Sequence, residues 1–374
     1  MPLYHDDEQT MLQDTARGFF DEHAPVSHMR GLRDAKDPAG IAHELWRRCG
    51  EMGFTMALIP EEDGGLGLGH VEAGIVQEAI GRNLTPSPLL ATAIGGVVAL
   101  RAATNDLRTE WLPRIAEGVA IVALALEEGS KHAPDQITLK ACKHADGFVL
   151  NGAKRFVPHA HIADLLIVSA RSSPGAEPML LAVTRETTGI TMRTQQLADA
   201  SLVSDIEFDD TVVEHSNVLV PPRDTGALLE EILNAVRVGA AAELIGLADG
   251  AMERTFAYLR DRKQFGVEIG SFQALQHRAA HLYGEVELAR AAVLKAQREL
   301  DGGSGDRSRH AMVAKAIASQ AATLAVQEGV QMHGGIGMTD EHDIGLFMKR
   351  ARVLAELYGD TNYHAHRLAS VNGY

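Results

Sequence analysis

The sequence predicts an α+β chain in which a helical first third, a β-rich middle and a long helical remainder follow one another. Three observations predict it. Apolar residues recur at spacings of three and four up to about Gly118, β-branched runs with turn residues fill the middle, and the helical spacing returns from Thr225 to the end. These shifts give domains at 1–118, 119–224 and 225–374. The chain's 374 residues suit two or three domains at roughly 100–200 residues each, and 45% apolar content is ample for their cores.

In the first third, DDEQTMLQDTARGFFDEHA, IAHELWRRCGEMGF and VEAGIVQEAIGRNL carry the helical spacing, and the glycine-dense PEEDGGLGLG at 60–69 is a tight loop joining two helices. In the middle, VALALEE, ITLKACK, FVLNGAKRFV, LLIVSAR, MLLAVTR and VSDIEFDD read as strands. The Asp146-Gly147 step predicts a hairpin with a type I′ turn. In the last part, Leu229, Ile232, Leu233, Val236, Ala240, Ile245 and Leu247 share one stripe of a helix reaching to about Arg262. Helices over 274–300 and 308–331 follow, separated by the polar DGGSGD. No internal repeat is present.

Thirty-five Lys and Arg against fifty Asp and Glu give a net charge of −15, with no basic footprint for a nucleic acid. The two cysteines, Cys49 and Cys142, form neither a disulfide framework nor a CxxC pair. MPLYHDDEQT has no secretory pattern, and the longest apolar stretch, Leu89 to Leu100, is too short to cross a bilayer. The expectation is a cytoplasmic protein without membrane or nucleic-acid partners.

Neither GGLGLG nor HGGIGM fits GxGxxG, because His70 and Asp340 stand at the last position. His43-Glu44 opens an HExxH string that fails at Arg47, and the seventeen histidines show no spacing that assembles three ligands, so no metal site is expected.

Three stretches are specific. RDRKQFGVEIGSFQALQHRAA at 260–280 puts cations at a helix end, then Phe265-Gly266, then a helix opening at Phe272-Gln273. QMHGGIGMTDEHDIGLFMKRARVLAELYGDTNYHAHRLA at 331–369 has glycines that end a helix and expose backbone N–H groups. PEEDGGLGLG is the third. Together they resemble the acyl-CoA dehydrogenase family, with its PEE-GGLG, R-QFG-PI-FQ, Q-HGG-G and Y-E-G-T motifs, over essentially the whole chain.

The resemblance implies an N-terminal helical domain, a middle β-barrel and a C-terminal four-helix bundle, with FAD held between subunits of a dimer or, more commonly, a tetramer. It also implies a reaction. A base removes the α-proton of an acyl-CoA, of a fatty or steroid side-chain type, while the β-hydride goes to the flavin, which an electron-transfer flavoprotein or similar carrier reoxidises. Carried over residue by residue, Arg262 meets the FAD pyrophosphate, and Gln264, Phe265, Phe272 and Gln273 line the dinucleotide. Gln331, Gly334 and Gly335 match the segment that a neighbouring subunit supplies, and Thr361 the threonine that closes over the cofactor. Arg237 stands where the family has a substrate-side arginine, and Asn234 where it has an aspartate that contacts the acyl-CoA.

The chain also departs from the pattern. LEEGSKHA at 126–133 replaces TEPGAGSD, and Phe156-Val157-Pro158 replaces W-I-T, so Phe156 can stack on the flavin while the threonine hydroxyls are gone. The family's glutamate base falls on Gly359, and its alternative position on Val236. Asp360, one residue along, is the replacement by position, with Glu243 two helical turns beyond Val236 as a second carboxylate. Asp360 has a competing role as a cap at Thr361 and Asn362. Two functions therefore stand side by side: a dehydrogenase with a displaced base, and a flavin-binding subunit whose partner in a heteromer supplies the base. An aspartate-based relative such as nitroalkane oxidase fits less well, because there the aspartate replaces the glutamate directly.

Overall fold

The computed structural model describes residues 3–302 and 305–374, and its elements follow the α, β, α order. Gly303 and Ser304, inside the expected DGGSGD linker, lie outside the described residues. Two compact units form. One takes the chain up to Asp34, Gly74–Thr85 and Arg237–Tyr374, and the other takes Ala35–Ala73 and Pro86–Val236.

The first helices are α1 (Asp7–His23), α2 (Val26–Ala35), α3 (His43–Glu51) and α4 (His70–Asn83). A capping box starts α1: the Asp6 carboxylate accepts the Gln9 N–H, and the Gln9 side chain accepts the Asp6 N–H. PEEDGGLGLG joins α3 to α4 through a single 3-10 turn at Glu61–Asp63. The apolar stretch after it is irregular. Leu90–Gly96 is a wide π-helical turn, buried along its whole length, running into α5 (Val97–Arg101) and α6 (Asn105–Ala116). Thr92 Oγ1 bonds both the N–H and the carbonyl of Val122 at 3.0 Å.

The middle half-barrel has seven strands: β1 (Val122–Ala125), β2 (Lys140–His144), β3 (Gly147–Pro158), β4 (Leu165–Arg171), β5 (Pro178–Thr184), β6 (Ile190–Gln196) and β7 (Leu202–Glu214). Their order is β1-β4-β2-β3-β7-β6, with β5 also on β4. The polar, largely exposed ITMRTQQ of β6 hides its strand character from a hydrophobic reading, and its pairing with β7 supplies it instead. The β2–β3 hairpin forms, but the type I′ expectation is corrected. His144 pairs with Gly147, so Ala145 and Asp146 make the turn, and none of these four residues has a positive φ. Gly147 answers to packing: a Cβ there would lie 2.0 Å from the Val213 carbonyl oxygen.

The remaining helices are α7 (Pro222–Asp261), α8 (Gln273–Gly302), α9 (Arg307–His333), α10 (Ile344–Glu356) and α11 (Thr361–Val371). Between α7 and α8 lies a small hairpin, β8 (Lys263–Gln264) and β9 (Val267–Glu268). Buried Ala311, Ala314, Ala318, Ala322 and Ala325 give α9 a face of small side chains, and α8, α10 and α11 all pack on that helix.

Candidate functional site

Arg262 follows directly on α7, whose last turn ends at Asp261 because the chain enters the β8–β9 hairpin. The hairpin turns on Phe265 (φ 55°) and Gly266 (φ 82°), the pair of positive φ angles that a type I′ turn demands. Phe265 is 93% exposed and meets Phe272 edge-on, with ring centroids 6.2 Å apart. Arg262, Gln264 and Gln273 are exposed beside them. A guanidinium, two amides and two aromatic faces on one short segment suit a ligand that carries phosphates and a planar ring. In the same compact unit, α9 ends at Gly334 (φ 65°), with Gln331, Gly334 and Gly335 exposed, and a Cβ on either glycine would meet nothing within 4 Å. The donor set expected for FAD is thus accessible, and the glycine turn leaves room for a close approach.

The turn between α10 and α11 is the second part of this unit's chemistry. Tyr358 (φ 58°) and Gly359 (φ 106°) carry the chain through it. Asp360 is the N-cap of α11, its Oδ1 accepting the Tyr363 N–H at 2.7 Å. Of its two expected roles the geometry displays the cap. Thr361 opens the helix half-buried, its hydroxyl 3.5 Å from the Ala316 carbonyl oxygen.

Two buried cations hold the turn. Lys315 Nζ donates to the carbonyls of Ala355 at 3.0 Å and Gly359 at 3.1 Å, and lies 3.3 Å from Ser319 Oγ. Arg237, 1% exposed, brings Nε to 3.5 Å from the Tyr358 carbonyl and its guanidinium to 5.9 Å from the Tyr363 ring. Burial, aided by the Arg237 charge, pulls the Lys315 ammonium down to about 7, while Glu356 and Asp360 oppose the shift. Lys315 was not singled out from sequence, though a lysine beside the alanine stripe of α9 is the signal that marks it.

Glu243 is not a free carboxylate. Arg350 bonds its Oε1 through two nitrogens, one at 2.9 Å, and Gln77 Nε2 donates to its Oε2 at 2.5 Å, with the carboxylate 2% exposed. Val236, the alternative base position, is fully buried, and a Cβ on Gly95 would lie 2.7 Å from its Cγ1. Asn234 is buried on α7, one turn before Arg237.

In the other unit, a register shift between Lys154 and Val157 of β3 lets Lys154 and Phe156, two residues apart, face opposite ways. Lys154 turns inward, fully buried, donating to Glu128 at 2.7 Å, Ser169 at 2.8 Å and the Leu126 carbonyl at 3.3 Å. Burial pulls it down to about 8 against the pull of Glu128. Burial alone would raise the Glu128 carboxyl, but Lys154 and Thr138 leave it lowered. Phe156 turns outward, 42% exposed at φ 52°, its N–H held by Asp205 Oδ1 at 3.2 Å. Leu126 and Pro158 carry no side-chain hydrogen-bond donor.

With this geometry in hand, the chain matches the acyl-CoA dehydrogenase N-terminal domain over residues 6–119, the middle domain over 125–211 and the C-terminal domain over 226–371. Acyl-CoA dehydrogenase IpdE2 of Mycolicibacterium smegmatis is 33% identical over 97% of this chain and 98% of its own. The solved Tcur3481-Tcur3483 steroid ACAD is 29% identical, with a TM-score of 0.89 over 98% of both chains. The electron transferring flavoprotein structure of Acidaminococcus fermentans is 25% identical, with a TM-score of 0.93 over the full length of both.

Proposed function

Because the chain belongs to the acyl-CoA dehydrogenase family, we propose that it binds FAD and catalyses α,β-dehydrogenation of an acyl-CoA thioester. The observation that carries this reading is the 262–273 segment, where Arg262, Gln264, Phe265, Phe272 and Gln273 stay exposed on one hairpin and helix start. These residues would hold the dinucleotide, with Gln331, Gly334, Gly335 and Thr361 serving a cofactor shared between subunits and Phe156 stacking on the ring. When bound, the flavin supplies the hydride acceptor. Arg237 and Asn234 would lie toward the substrate from α7. The relative described as a steroid ACAD supports an acyl group of steroid type. On this reading a fatty acyl group is the other candidate, and an electron-transfer flavoprotein or similar carrier takes the electrons.

The assembly on this reading is a homo- or heterotetramer built on helix surface, where Tyr283 and Leu288 are exposed. Sedimentation of a flavin-loaded monomer would count against it. Replacing Arg262 with Ala tests the cofactor site itself. Loss of a charge-assisted phosphate contact should weaken FAD retention by about 1.5–3 kcal/mol, and unchanged retention would make Arg262 a helix-end charge only.

One set of observations favours a second reading, a flavin-binding partner subunit. Position 359 is glycine, Asp360 caps a helix, and Glu243 is held by Arg350 and Gln77. The steroid ACAD is named for a pair of proteins. An anaerobic titration with acyl-CoA, followed by the flavin absorbance, separates the two readings. A dehydrogenase bleaches alone, whereas a partner subunit bleaches only with its co-expressed homologue.

A further inference from the structure

We propose that the imidazole of His364 is the base that takes the α-proton of the acyl thioester, in the volume that a side chain on residue 359 would otherwise fill. This deepens the dehydrogenase reading and rests on it. A Cβ built on Gly359 would lie 2.7 Å from Tyr363 Cδ1, 2.8 Å from His364 Nε2 and 3.0 Å from His364 Cε1. The Nε2–Cε1 edge therefore sits where the side chain of residue 359 would begin. A glutamate at that position would displace the imidazole.

His364 is held firmly there. It lies in the first turn of α11, 1% exposed, with its N–H on the Asp360 carbonyl at 3.1 Å and the Tyr363 ring edge-on at 5.3 Å. The turn against it is fixed by Lys315 on the Gly359 carbonyl and by Arg237 near that of Tyr358. The neighbouring carboxylates have other work: Asp360 Oδ1 accepts the Tyr363 N–H, and Glu243 is bound by Arg350 and Gln77.

The chemistry balances. Neutral imidazole has one unprotonated ring nitrogen. As the bond from C2 to its proton breaks, an N–H bond forms on His364 and the electron pair remains on the acyl carbon. For the complete reaction a bound flavin, which the dehydrogenase reading already requires, would supply the acceptor for the C3 hydride, and the pair left on C2 would then form the double bond.

The test isolates proton removal from oxidation. The FAD-loaded protein, in its natural assembly, is given an acyl-CoA in which sulfur replaces C3, so that no hydride is available, and deuterium uptake at C2 from D2O is followed by mass spectrometry. Wild type should exchange, while His364→Ala should slow about a hundredfold with FAD content and thermal midpoint kept, and free imidazole should restore part of the rate. His364→Gln gives the same comparison with the volume filled, should the alanine variant lose FAD. Exchange in either variant within a fewfold of wild type, with ordinary oxidation of acyl-CoA, overturns the assignment and leaves the dehydrogenase reading standing. A wild-type chain that holds no FAD and exchanges no proton overturns both. Exchange only with a co-expressed homologue, and indifferent to His364, overturns the assignment in favour of a base on the partner.

Discussion

Lys315 Nζ donates to the carbonyl oxygen of Gly359 at 3.1 Å, so a fully buried lysine on α9 holds the turn between α10 and α11. A second bond, to the Ala355 carbonyl, satisfies a group near the C-terminal end of α10. The lysine thus ties α9 to the end of α10 and to the turn that follows it. Burial favours its neutral form, with the Arg237 charge adding to the effect.

That shift has a consequence for stability. Lys315 ionises at about 7 when folded and at 10.5 when exposed, so between these values the unfolded chain binds more protons. The cost of burying the ammonium is full below pH 7 and falls as pH rises toward 10.5. Wild type should gain stability relative to Lys315→Met across that window, by at most about 1.4 kcal/mol per pH unit. Thermal midpoints of both proteins from pH 7 to 10 check this, and parallel curves would mean that the lysine titrates normally.

Glu243→Gln should destabilise the protein by about 1–3 kcal/mol, because the buried Glu243 carboxylate gives up its charge-assisted bonds to half-buried Arg350. Flavin reduction per folded molecule should not change. A variant of ordinary stability that fails to bleach would instead give Glu243 a part in proton transfer.

Much of this architecture is legible in the sequence because periodicity reports burial. The helix expected around Leu229–Leu247 forms as α7, although it is buried on every side from Ile232 to Ala248 and not along one stripe, and the β-branched runs lie on their strands. What escapes is set by contacts distant in sequence. The π-helical turn at Leu90–Gly96 is uniformly apolar and offers no period, and β6 is a strand through its pairing with β7. At the site, Arg262 and Phe265 are visible through their motif, whereas His364 reaches Gly359 across a turn whose φ of 106° no local pattern announces. Asp360 was legible in both its roles, and only the hydrogen bond to Tyr363 displays one of them.

Asp360 can be examined through that hydrogen bond. Asn caps about as well as Asp, so Asp360→Asn should stay within a few tenths of a kcal/mol of wild type, whereas Asp360→Ala should lose about 1 kcal/mol of stability. Both should keep the bleaching rate of the active assembly. Abolished bleaching in the stable asparagine variant would restore Asp360 as the base.

Phe265 offers a prediction in which stability and function move in opposite directions. It occupies a left-handed conformation at φ 55° that costs a bulky residue about 1–2 kcal/mol and suits asparagine, with Gly266 beside it completing the turn. Its ring is 93% exposed, so little packing repays that strain in the free protein. Phe265→Asn should therefore keep or raise the thermal midpoint of the cofactor-free protein. The same change removes an aromatic face from the proposed dinucleotide site, and FAD should bind about 5- to 30-fold more weakly, as expected for losing roughly 1–2 kcal/mol of ring contact. Equilibrium binding of FAD to both proteins measures the second effect, and calorimetry without FAD the first. Tight FAD binding with a raised midpoint would show Phe265 to be a poorly chosen turn residue and nothing more, while weak binding with a lowered midpoint would place its role in the fold of the hairpin instead of in contact with the cofactor.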